Sequence, residues 1–153
     1  MVFRRLLLAG KICVVAAGLL VSAPIGRSQS AQSATPAASL KETQWNLVEL
    51  DGAAVAAVSA DAQPYIYLHD DSDKLTGSGG CNRFFGSFDL SGSSLEFHSV
   101  AQTLMVCPGA SGEHESALQN ALKLTTGYRI NGNELELRVD DRVLARFQAE
   151  KKK

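Results

Sequence analysis

From residue 44 onward the chain changes character at every second position. Gln44-Trp45-Asn46-Leu47-Val48-Glu49-Leu50 sets large apolar residues against polar ones apart from Val48, and Asp51-Gly52 ends the run as a turn, so a strand is expected over 44–50. Tyr65-Ile66-Tyr67-Leu68-His69, bounded by Pro64 and by Asp70-Asp71-Ser72-Asp73, predicts a second strand of aromatic and β-branched residues. Phe84 to Leu90 and Ser94 to His98 flank Ser91-Gly92 as a hairpin. Three antiparallel strands are expected at 128–130, 134–139 and 143–147, separated by Asn131-Gly132 and Asp140-Asp141. In the middle one, Leu135, Leu137 and Val139 alternate with Glu134, Glu136 and Arg138. That alternation predicts one buried face and one wet face, with both glutamates pointing to water.

One segment follows a different period. Leu118, Ala121, Leu122 and Thr125 fall at helical spacing, so a helix is expected over about 112–126. Ser111 or Gly112 can cap it, Glu113 and Glu115 near its start and Lys123 near its end complement the helix dipole, and Gly127 stands where a left-handed closing residue is common. The fold class is therefore mainly β (α+β): a compact antiparallel sheet around one core, with a single helix packed against it.

Before residue 40 the pattern is unlike the rest. Arg4-Arg5 and a leucine cluster precede an apolar run from Ile12 to Ala23, shorter than the ~20 residues a membrane-spanning helix needs. This predicts a signal peptide over about 1–30, cut somewhere between 23 and 38, and a small, polar linker over 31–40. Cys13 lies inside the apolar run and not just after it, so no lipid anchor is expected. One domain follows over 41–149, about 110 residues and enough for a single core, and then a Lys-rich tail over 150–153.

Composition changes the picture once it is divided this way. The whole chain is near neutral at −1, but Arg4, Arg5, Lys11 and Arg27 all lie in the leader, where no acidic residue occurs. Residues 41–153 thus carry eleven basic against sixteen acidic groups, a net −5, which argues against a nucleic-acid partner.

Candidate chemistry is sparse. The glycine-dense run Gly77 to Gly86 leads into an aromatic strand, and not into a helix whose N–H groups would face a phosphate, so a tight bend is the better reading. Asp70 to Asp73 lacks the Gly and Glu of a calcium loop, and His69, His98 and His114 share no metal-ligand spacing. No catalytic constellation, metal site or cofactor is expected. Cys81 and Cys107 are the cysteines left once the leader is removed, and export permits a bridge worth about 3 kcal/mol. Two buried free thiols, or a reactive one approached in space by a histidine, are the alternatives.

Four motifs recur in order: Trp45-x-Leu47-x-x-Leu50-x-Gly52; Gly79-Gly80-Cys81-Asn82-Arg83-Phe84-x-Gly86; Thr103-x-Met105-x-Cys107-Pro108; and Glu115-x-x-Leu118-x-x-Ala121-Leu122. Together they resemble the META/HslJ-like domain family, over about residues 42–148. The resemblance implies a partly barrel-like antiparallel sheet with one packed helix, in bacterial envelope proteins linked to heat-shock or antibiotic stress and with no established enzymatic activity. It carries over only structural positions: Gly80, Cys81, Asn82, Phe84 and Gly86 in one motif, and Thr103, Met105 and Cys107 in the other, with Gly79 beside them. Leu104 stands where the family often has a basic residue, and Val106 where Ala is usual.

The expected function is that of a non-enzymatic, monomeric protein in the periplasm or secreted, with no stable membrane anchor. It would bind an unidentified protein or peptide in the envelope during stress, with Asn82, Arg83 and Trp45 as candidate contacts. The alternative is a carrier whose aromatic residues Trp45, Tyr65, Tyr67, Phe84 and Phe88 line a pocket for a small apolar ligand.

Overall fold

A computed structural model describes residues 36–56, 59, 62–107 and 110–150. The expected signal peptide over 1–30, the 23–35 part of its cleavage window and the lysines 151–153 lie outside the described residues.

Nine strands and one helix follow one another: β1 (Gln44–Leu50), β2 (Ala53–Ala54), β3 (Tyr65–Leu68), β4 (Lys74–Ser78), β5 (Arg83–Ser91), β6 (Ser94–Gln102), α1 (Ala110–Leu124), β7 (Gly127–Asn131), β8 (Glu134–Val139) and β9 (Arg142–Ala149). Every pairing is antiparallel, in the order β2-β1-β3-β4-β5-β6-β7-β8-β9. β1 also pairs with β9, from Trp45↔Ala149 to Leu50↔Ala145, so the sheet curls into a ring. The ring has one weak seam. β6 and β7 share a single residue pair, Ser94↔Gly127, and beyond it α1 packs beside β6, where the Gln119 and Gln102 side chains meet.

The two-residue period decides what fills the ring. Trp45 and Leu47 from β1, Ile66 and Leu68 from β3, Leu75 from β4, Phe84 and Phe88 from β5, and Leu135 and Leu137 from β8 are all at most 2% exposed. Leu118 and Leu122 close the core from α1, the face their helical spacing predicts. Each such side chain contributes roughly 1.5–3 kcal/mol by leaving water.

Several expectations need correction. α1 begins at Ala110 and ends at Leu124, so Ser111 and Gly112 lie within its first turn and do not cap it. Gly127 does not close the helix; it opens β7, where a Cβ would come 3.0 Å from the Ser93 carbonyl oxygen. The linker ends earlier than residue 40: the Ala38 N–H donates to the Gly132 carbonyl at 2.8 Å, and Leu40 is buried. β4 was not expected at all. Its inward positions are Leu75 and Gly77, and the Phe84 ring occupies the space a side chain at 77 would need.

Glu136 corrects the wet-face reading. It sits opposite Leu135 and Leu137 as expected but is 5% exposed, because arginines from three strands fold over it. Its Oε2 lies 2.8 Å from Arg129 Nη2 and 2.8 Å from Arg138 Nη1, and its Oε1 lies 3.2 Å from Arg146 Nη2. Burial pushes this carboxyl up, but hydrogen bonds from Arg138 and Arg146 and the charge of Arg129 outweigh it and hold the group below its ordinary value. Glu134 stays half-buried at the edge of the same cluster, 3.8 Å from Arg146 Nε.

Candidate functional site: the disulfide corner

The glycine-dense segment turns the chain between β4 and β5. The Gly79 N–H donates to the Asn82 carbonyl at 2.9 Å, and Gly80 adopts φ 103°, a left-handed conformation that side chains disfavour. This bend places Cys81 and Asn82 at the root of β5. Cys81 is bonded to Cys107 across 26 residues, with the two Cα atoms 6.0 Å apart. The bridge reading therefore holds, and neither cysteine stands as a free thiol in this structure.

Asn82 is the hub of the corner. Its side-chain carbonyl accepts the Thr103 hydroxyl at 2.7 Å and the Met105 N–H at 2.8 Å. Its amide donates to the Met105 carbonyl at 3.1 Å and lies 3.1 Å from Cys107 Sγ, a weak acceptor. Both donors and both lone pairs are thus engaged within the protein, and the residue is 4% exposed. Asn82 has nothing left to offer a ligand, so its role is to clamp the 103–107 loop. Thr103 adds a second tie, donating its N–H to the Arg83 carbonyl at 3.0 Å and accepting the Arg83 N–H on its hydroxyl at 3.2 Å.

Glu115 joins the same corner from α1. Sequence reading placed it in the first turn as a dipole partner; instead it is buried, and its Oε2 accepts the Asn82 N–H at 3.1 Å. Gly79 is glycine because the Glu115 side chain lies where a Cβ would be. Cys81, Cys107 and Glu115 bring their ligand-type atoms within 4.8 Å of one another. With both sulfurs joined, the corner offers no thiolate for a metal.

The clamp has one outward product. Leu104, Met105 and Val106 are 92%, 58% and 94% exposed. Ordinary surface leucines and valines are scattered singly; three consecutive ones on a tied loop form a deliberate apolar tip. Phe85, on the neighbouring strand, is also exposed.

Other expected contacts go elsewhere. Trp45 is wholly buried and donates its indole N–H to the Leu40 carbonyl at 2.9 Å, which removes it from any surface site. The Arg83 side chain is exposed at the foot of the loop. Phe84 belongs to the core, and Gly86 sits at a bulge, where a Cβ would approach the His98 carbonyl oxygen to 2.8 Å. The five aromatics do not line a common pocket: Trp45, Phe84 and Phe88 fill the core, whereas Tyr65 and Tyr67 face outward. None of them borders the cleft of ≈ 680 Å³ between Leu40, Glu42, Asp70, Leu90 and Tyr128.

A nearly closed antiparallel ring with a helix at its seam, stapled by one disulfide beside a saturated asparagine, defines a small β domain organised around two cysteine motifs. The family model of the META domain matches residues 38–151, and the chain belongs to that family. It is similar to a protein from Burkholderia xenovorans solved by NMR, with 30% identity, a TM-score of 0.59, and coverage of 74% of this chain and 85% of that one. A second NMR structure matches at 25% identity and a TM-score of 0.57, covering 71% and 91% of the two chains. No curated protein matches the sequence. Among the described residues no helix is long and apolar enough to cross a membrane.

Proposed function

We propose that this META domain is a non-enzymatic partner-binding module of the bacterial envelope, exported to the periplasm or beyond and engaged during heat or antibiotic stress. The observation that carries the reading is the Leu104-Met105-Val106 tip, held out by Asn82, Thr103 and the disulfide. Fixing a loop before binding lowers the entropy its partner must overcome. Leu104 and Val106 are the most exposed side chains of the tip and so the first that a partner would meet.

A photo-crosslinking residue placed at 104, and separately at Lys123 on the far turn of α1, tests the reading in envelope preparations under heat or drug stress. Position 104 should give a discrete product that Val106→Glu abolishes, and position 123 should not. Stability of Val106→Glu should stay within about 0.5 kcal/mol of the parent, because the site is open to water. The same products from both positions, or none from 104 in any condition, would sink the proposal.

A further inference from the structure

The disulfide has a neighbour that a simple staple does not need. Glu115 is 4% exposed, and burying a carboxylate costs free energy unless something offsets it. Among the described residues one backbone N–H reaches its Oε2, which lies 3.6 Å from Cys107 Sγ. A disulfide sulfur has no proton to share across that gap, but a reduced Cys107 would present its S–H to the carboxylate. Asn82 Nδ2, 3.1 Å from the same sulfur, is placed to steady a developing thiolate. Both cysteines are half-buried, so an outside thiol or disulfide can reach them.

We propose that Cys81, Cys107 and Glu115 form a thiol–disulfide exchange centre in which Glu115 is the proton acceptor for Cys107. In the oxidising direction the Cys81 thiolate attacks a low-molecular-weight disulfide such as glutathione disulfide. One glutathione leaves as thiolate, and a mixed disulfide remains on Cys81. Cys107 then passes its proton to Glu115 as its sulfur attacks Cys81 Sγ. The bond between Cys81 and glutathione breaks, the second glutathione departs as thiolate, and Glu115 returns its proton to the medium. Two protein thiols are oxidised and one glutathione disulfide is reduced to two glutathiones. A dithiol runs the sequence backwards. The proposal does not rest on the partner-binding reading above, although both use the same bridge.

The test mixes the reduced full-length protein with glutathione disulfide, quenches with acid and resolves the reduced, mixed-disulfide and bridged species by mass. Glu115→Gln keeps an oxygen for the Asn82 N–H but cannot take a proton. Its closure step should slow by at least about tenfold, so that the mixed disulfide accumulates. Between about pH 6 and pH 8, closure in the parent should change little, whereas the variant should climb roughly tenfold per pH unit with the free thiolate fraction. Closure rates within about twofold of each other with equal pH slopes overturn the proposal. So does parent closure no faster than that of the urea-unfolded chain. Should the variant fail to fold, a full tenfold rise per pH unit in the parent alone overturns it.

Discussion

Glu115 and Glu136 are buried alike, 4% and 5% exposed, in opposite company. Glu136 is enclosed by three guanidinium groups from β7, β8 and β9, so its charge is matched where it sits. Glu115 accepts a backbone N–H from Asn82 and faces a sulfur bridge. Burial alone therefore does not tell what a carboxylate is for. Where the neighbours match its charge the group belongs to the architecture, and where they leave it facing a reactive bond it belongs to the chemistry.

The largest blow to the sulfur side of this comparison is Asn82→Ala, which removes the partners of the Thr103 hydroxyl and of both Met105 backbone groups. It should destabilise the protein by about 3 kcal/mol in urea unfolding, since three partly buried hydrogen bonds are lost at about 1 kcal/mol each. A cost under 1 kcal/mol would mean that the disulfide alone holds the loop.

On the other side, Glu136→Gln should cost about 2 kcal/mol, less than the 3–5 of a fully buried pair, because Arg129 and Arg146 keep contact with water. Its pH dependence sharpens the contrast. The Glu136 carboxyl lies below its ordinary value of 4.5 when folded, so its stabilisation is present above that value and is lost as pH falls through the lower folded one. The stability gap between parent and Glu136→Gln should therefore be wide near neutrality and narrow on acidification. A gap that does not change with pH would show that the cage holds by packing and not by charge.

Of these three substitutions Glu115→Gln has the smallest stability effect, under about 1 kcal/mol, because the amide oxygen replaces the carboxylate oxygen as acceptor for the Asn82 N–H. A cost matching that of Glu136→Gln would erase the distinction.

Much of the scaffold was legible in the sequence because period and turn residues agree with each other. The Trp45 strand, the Ser91-Gly92 hairpin and the three C-terminal strands fall where alternation placed them. β4 escaped because Lys74-Leu75-Thr76-Gly77-Ser78 has one large apolar residue, and its second inward position is filled by Phe84 from the next strand. Glu136 misled for a related reason. Alternation tells which face a residue is on, but not that Arg129 and Arg146 reach it from adjacent strands. The motifs named the members of the disulfide corner, including Glu115 and Gly79, without revealing that one occupies the space the other vacates.

The pairing of β1 with β9 sets an order of events for a chain that is made from its N-terminus. Trp45 finds its neighbour at Ala149, far along the chain, and contacts so far apart in sequence form late. Until then the edge of β1 that β9 takes stays unpaired, since β3 and β2 both lie along the other edge, and the ring stands open like an unfastened bracelet. Loss of β9 would leave that edge of β1 open throughout the life of the protein, so a cut within β9 acts on a strand far from where it is made.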